Sequence, residues 1–87
     1  MEQQEIRNVL FEAFQRAKGK QLDLSGIKDD SNLVNDLGLD SLDMIETVWE
    51  IEKKFDISIK EDQLKSLATV SEVIKLVEGL VQAKSVN

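Results

Sequence analysis

Apolar residues recur at helical spacing in three separate stretches of this chain, and no stretch supplies a second strand with which a sheet could be built. Ile6, Val9, Leu10, Ala13, Phe14 and Ala17 share one side of a helix predicted from Gln3 to Lys18, which Gly19 and Lys20 end. Met44, Val48, Ile51 and Phe55 form an inward stripe on a second helix, Ser41 to Phe55. Val70, Val73, Ile74, Val77, Leu80 and Val81 do the same for a last helix from Val70 to Val81, and Thr69 with Glu72 three residues later makes a capping box at its start. Gly79 weakens this helix locally, and the tail 83–87 is expected to fray. Asp56-Ile57-Ser58-Ile59 alternates but has no partner, so it reads as an extended connector, followed by a short helical turn around Glu61 to Ser66 anchored by Leu64. From Gln21 to Asn35 the pattern is irregular, a long loop pinned by Leu22, Leu24, Ile27 and Leu33. Loops of that length in a small domain are often functional. The expected fold class is all-α: a bundle of three main helices and one short one.

The 87 residues allow one domain, 1–87, with one modest core. A chain of this size buries about 60–65% of its unfolded surface and is stable by on the order of 5 kcal/mol. With no cysteine and no histidine it has neither a disulfide framework, a thiolate, a zinc cluster nor the usual general base near neutral pH. A self-contained enzyme is therefore disfavoured, and no catalytic residue or metal ligand is assigned. The acidic run Asp36, Gly38, Asp40 lacks the ligand spacing of an EF-hand. No segment reaches the length of a membrane span, and the acidic start Met1 to Glu5 is unlike a signal peptide, so a cytoplasmic location is expected.

Charge is concentrated in the middle of the chain. Of a formal net charge of −6, residues 23–56 carry ten acids against three bases, a local −7, while both flanks are nearly balanced. Such a field repels nucleic acid and anionic lipid and attracts basic protein surfaces; a solvated face kept for solubility is the commoner meaning of such charge.

Within this segment lies Asp36-Leu37-Gly38-Leu39-Asp40-Ser41-Leu42. Ser41 falls where a polar loop gives way to helical spacing, at or next to an N-cap, where hydroxyl and carboxylate oxygens accept bonds from unpaired N–H groups. An isolated Asp-Ser pair would read as a cap alone. The same N–H groups and the positive end of the helix dipole also suit a phosphate ester on Ser41. On the second helix Leu42, Ile45 and Trp49 project roughly opposite the core stripe, with Asp43, Glu46 and Glu50 beside them. That is the pattern of a docking surface with an apolar centre and a charged rim. Burial of both stripes between neighbouring helices is the alternative.

The run Asp36 to Asp43, continued by Glu46, Glu50-Ile51-Glu52 and Phe55-Asp56-Ile57 and preceded by Ile27 and Asp30-Ser31-Asn32-Leu33, resembles the acyl carrier protein family around its phosphopantetheine attachment site. The resemblance covers nearly the whole chain. It implies a small four-helix bundle with a long loop between helices one and two, and 4'-phosphopantetheine from coenzyme A on Ser41, attached by a separate transferase. It also implies acyl thioesters passed among enzymes of fatty acid, polyketide or related lipid synthesis, with Leu42, Ile45 and Trp49 contacting those partners, Asp43, Glu46 and Glu50 meeting their basic patches, and Asp40 guiding the transferase and completing the helix cap. The missing cysteine and histidine then make sense, because the thiol arrives on the prosthetic group. Met44, Val48 and Ile51 are candidates to shelter an acyl chain. A monomer is expected. The chain departs from the family pattern in three places: Ile57-Ser58-Ile59-Lys60 lacks the common proline, Lys53 and Lys54 interrupt an often acidic stretch, and Trp49 is unusually bulky. Two other readings stay open: a carrier of amino or aryl acids loaded by an adenylating enzyme, and an unmodified helical adaptor.

Overall fold

A computed structural model of the chain describes residues 3–19 and 24–85. It contains α1 (Gln3–Lys18), a 3₁₀ turn (Leu24–Gly26), α2 (Ser41–Phe55), α3 (Glu61–Lys65) and α4 (Val70–Ser85). Among the described residues the only strand-like feature is an isolated bridge between Asn32 and Thr69. The fold is thus a small helical bundle, three long helices with one short one, as the spacing predicts. Leu22 lies outside the described residues, as does the Leu24 side chain.

Each long helix buries the stripe its sequence dictates. Ile6, Leu10, Ala13 and Phe14 of α1 are buried, and α1 packs against α2 and α4. The helix ends at Gly19, whose φ of 67° is a left-handed conformation that a side chain would disfavour. From α4 come Val70, Val73, Ile74, Val77 and Val81, with Leu80 only half-buried. From α2 come Val48 and Ile51, with Met44 and Phe55 partly buried against the same cluster. The loop adds Leu33, Leu37 and Leu39, all buried in the same core. Each such side chain contributes about 1.5–3 kcal/mol on leaving water, so the loop is held by apolar burial as firmly as a helix would be.

Hydrogen bonding makes this loop a built structure. Asn32 Oδ1 accepts the N–H groups of Val34 at 2.9 Å and Asn35 at 2.8 Å, and Asp36 Oδ2 accepts that of Asn32 at 2.6 Å. Ser31 Oγ accepts the Lys28 N–H at 2.8 Å. The loop also satisfies the start of α4, where the first N–H groups have no partner inside the helix. Val70 donates to the Ser31 carbonyl at 3.2 Å and Ser71 to that of Asp29 at 2.8 Å, while Leu33 donates back to Ala68 at 2.8 Å. The Thr69–Glu72 capping box forms, with the Thr69 N–H on Glu72 Oε1 at 2.9 Å and the Glu72 N–H on Thr69 Oγ1 at 3.3 Å. The N–H groups of Ala68 and Thr69 hold the Glu72 carboxyl below its ordinary value. Arg7 ties α1 to Asp29 and lowers that carboxyl too.

The far end differs from the expected fraying. Helix α4 continues to Ser85, and Lys84 Nζ donates to the Asp56 carbonyl at 3.0 Å and its carboxylate at 2.6 Å. Asp56 is the left-handed C-cap of α2, with φ 54°. Lys84 thereby fastens the end of one helix to the end of another, and it lowers the Asp56 carboxyl. Residues 86–87 lie outside the described part.

Candidate functional site

The segment before α2 alternates buried and open residues. Leu37 and Leu39 enter the core while Gly38 between them is exposed, with φ +72° and no heavy atom within 4 Å of the place a Cβ would take. Only the backbone conformation requires glycine there. The Gly38 N–H donates to the Val34 carbonyl and that of Leu39 to the Leu33 carbonyl, both at 3.0 Å, so the turn is closed onto the loop.

Asp40 is the N-cap, in extended conformation, and Ser41 is the first helical residue. Asp40 Oδ1 accepts the Asp43 N–H at 2.8 Å and Asp43 Oδ2 accepts the Asp40 N–H at 3.1 Å, a reciprocal box made from two aspartates. The Asp43 N–H is the main cause holding the Asp40 carboxyl below its ordinary value, with Lys18 adding a smaller favourable charge. Because Asp40 does the capping, the Ser41 hydroxyl is not committed to it, and Ser41 is exposed.

Helix α2 presents two faces. Leu42, Ile45 and Trp49 are 62%, 56% and 62% exposed, so the alternative of burying both stripes is overturned. Their carboxylate neighbours differ in availability. Glu46 is exposed. Glu50 pairs with Arg16 of α1 at 2.8 Å. Asp43 is enclosed, its side chain 13% exposed, engaged in the cap and 3.4 Å from Lys18 Nζ. Lys53 Nζ stands 4.8 Å from the Trp49 ring centroid, a cation–π contact that puts positive charge inside the apolar stripe.

Ser41 also lies on the wall of a cavity of about 520 Å³ between α2 and α3. Its lining is chiefly apolar: Leu33 and Val34 from the loop, Met44 and Ile45 from α2, and Ile59, Leu64 and Leu67 around α3, with Glu61 and Lys65 also present. Of the three residues proposed from sequence to shelter an acyl chain, Met44 is here, whereas Val48 and Ile51 are buried in the core. Met44 shares the inward stripe but lies in the first turn of α2, beside the loop, where it meets the cavity. Val34, 62% exposed, and Ile59 are wall residues that the sequence reading missed. Val34 sits in a turn with no periodicity to read, and Ile59 in a connector that cannot be placed without the fold.

Residues 9–77 match the family model described as the phosphopantetheine attachment site. The chain belongs to the acyl carrier protein family. It is 44% identical over 73 residues to the acyl carrier protein of Sulfurovum sp. (strain NBC37-1), a match covering 82% of this chain and 97% of the relative. It is 47% identical over 70 residues to the chloroplastic acyl carrier protein of Brassica napus, covering 75% of this chain and 50% of that longer one. The solution structure of the acetyl actinorhodin acyl carrier protein from Streptomyces coelicolor superposes with a TM-score of 0.75 at 29% identity, covering 88% of this chain and 91% of that one. Acyl carrier proteins are carriers rather than catalysts, and their prosthetic group is covalently attached 4'-phosphopantetheine. The residues present fit that group: an exposed serine at the start of a helix, open space over Gly38, and an apolar cavity reached from the same serine.

Proposed function

We propose that Ser41 is the attachment residue and that this acyl carrier protein presents acyl groups to successive enzymes of fatty acid, polyketide or related lipid synthesis. The observation that carries this reading is the position of Ser41: exposed, freed from capping by Asp40, beside an uncovered apolar stripe and on the wall of an apolar cavity. In the attachment step Ser41 Oγ attacks the pyrophosphate of coenzyme A; a phosphodiester bond forms, the anhydride bond breaks and the adenine nucleotide leaves. The serine proton goes to a base of the separate transferase, since this chain has no histidine or cysteine. When bound, the group supplies a thiol that holds acyl chains as thioesters.

The chain's own residues do the rest. Met44, Ile45, Leu64 and Leu67 offer an aliphatic cargo an apolar wall, worth up to about 0.8 kcal/mol for each methylene sheltered. Leu42, Ile45 and Trp49 form the centre of the docking face, and Asp40, Glu46 and, by exchange with Arg16, Glu50 meet cations on the partner. Asp43 acts through the cap and not by contact. Exposed charge of this kind favours rapid, reversible association over tight binding, which suits a carrier that visits several enzymes.

The test is incubation of the purified chain with coenzyme A, magnesium and a broad-specificity phosphopantetheinyl transferase, followed by intact mass and peptide mapping. One phosphopantetheine increment on Ser41, absent in Ser41→Ala, is expected. A folded chain that takes no increment from several transferases would replace this reading with the unmodified adaptor.

A further inference from the structure

The wall of the Ser41 cavity on the α3 side is attached to the rest of the molecule in an unusual way. Helix α3 has five residues and buries none of them fully, too short to hold itself without packing. Among the described residues, the hydrogen bonds and ion pairs of residues 60–67 stay within that stretch. The Lys60 N–H donates to Gln63 Oε1 at 3.0 Å, Leu64 to the Lys60 carbonyl at 3.0 Å, Leu67 to the Leu64 carbonyl at 3.2 Å, and Lys65 pairs with Glu61 at 3.5 Å. The segment is therefore a strap bonded to itself and anchored only at its two ends and by apolar contact.

The rear anchor is the loop and the α4 cap: Leu33 donates to the Ala68 carbonyl and Ala68 to Glu72 Oε1, both at 2.8 Å. The front anchor is one side chain. Glu52 Oε2 accepts the Ile59 N–H at 2.8 Å in a part-buried position, across seven residues of sequence. The Glu52 carbonyl also collects the N–H groups of Asp56 and Ile57, so a single residue turns the chain at the end of α2 and then fixes the connector. The start of the connector is also held, by Lys84 Nζ on the Asp56 carbonyl and by the partly buried Ile57, but Glu52 is the side chain that bonds the Ile59 backbone, and the chain has no proline to stiffen it. Ile59, the residue so held, packs against the core and lines the cavity.

We propose that the Glu52 carboxylate is the latch of this wall, a positioning residue that holds Ile59 in place and so sets how often the strap 60–67 opens the cavity; its bearing on cargo rests on the carrier reading above. A bond to an ionised acceptor is stronger than one to a neutral amide. Removing it leaves Ile59 attached by apolar contact alone, and the strap opens without unfolding the bundle.

Amide hydrogen exchange on the unmodified chain tests the latch independently of any cargo. Glu52→Ala is expected to speed exchange at Ile59 and at Leu64 to Leu67 by about tenfold while Leu10 and Val77 in the core keep their rates; Glu52→Gln, which retains an acceptor oxygen, stays within about threefold of the parent. On protein loaded with an octanoyl thioester, cleavage by hydroxylamine should run about fivefold faster in Glu52→Ala and near the parent rate in Glu52→Gln. Unchanged exchange at Leu64 to Leu67 in Glu52→Ala overturns the latch, whatever Ile59 does, because the substitution itself removes the acceptor of the Ile59 N–H. Faster exchange with unchanged cleavage overturns its control of the cargo. Failure of Ser41 to load at all overturns the carrier reading and the cargo part with it, and leaves the exchange result to decide the latch.

Discussion

Thr47 is the most informative residue to replace. It lies on the inner face of α2 at 1% exposure, and its Oγ1 is buried with no hydrogen-bond partner among the described residues. A buried hydroxyl without a partner costs about 1–3 kcal/mol in proteins. Valine has nearly the same shape and the same branching at Cβ, so Thr47→Val removes that cost without opening a cavity or changing helix entropy much. The expected result is stabilisation by about 1–3 kcal/mol, and each kcal/mol should raise the melting temperature by about 4–8 °C in a chain of this length. Thermal unfolding followed by circular dichroism, with urea titration to show an unchanged slope, measures it. Thr47→Ala, which also removes the packed methyl, should fall below the valine variant. A valine variant no more stable than the parent would refute the reasoning, and would mean that the hydroxyl bonds the carbonyl one turn back, at Asp43.

Three further outcomes are expected. Asp29, Asp40, Asp56 and Glu72 all have carboxyls held below their ordinary values of 3.8 to 4.5, so the unfolded chain binds more protons in acid; their stabilisation is present at neutral pH and lost as pH falls through that range toward the folded values. Urea midpoints measured from pH 7 to 3 in 1 M salt, where the Debye length of about 3 Å screens the general repulsion, should therefore decline; a flat profile would contradict it. Gly38→Ala forces a side chain into the left-handed region and should cost about 1–2 kcal/mol in chemical unfolding although no atom obstructs it. Trp49→Ala, at an exposed position, should change stability by no more than about 0.5 kcal/mol while weakening association with a carrier-dependent enzyme in binding assays; a large loss of stability with unaltered binding would reverse that assignment.

Much of this was legible in the sequence where local rules act alone. The bounds of α1 and α2 follow from apolar spacing, and the Thr69–Glu72 box marks the start of α4. The exposed stripe Leu42, Ile45, Trp49 follows from rotation around α2. What escaped depended on neighbours distant in sequence. Thr47 is polar by type and was passed over, yet α2 turns it inward. Leu37 and Leu39 stand out in the sequence by their place in the motif, while their burial depends on a core assembled from residues of α1, α2 and α4. Asp43 belongs to the charged rim by position, but Asp40 and Lys18 engage it. The length of α4 past Val81 reflects the Lys84 contact with Asp56, which no periodicity announces.

The bonds between the loop and the start of α4 have a consequence for the order of events during synthesis. The carbonyls of Asp29 and Ser31 receive Ser71 and Val70, and the Leu33 amide needs Ala68. A nascent chain emerging N-terminus first displays Asp40, Ser41 and all of α2 well before those residues exist. Until residue 71 has left the ribosome, the loop that seats Leu33, Leu37 and Leu39 has its internal bonds but none of those it makes with the start of α4. The surface around Ser41 therefore lacks these tethers in a chain that stops short of residue 71, although such a chain already contains the entire motif. Any enzyme that reads the shape of this surface, and not the short peptide alone, discriminates between a completed polypeptide and a fragment of one.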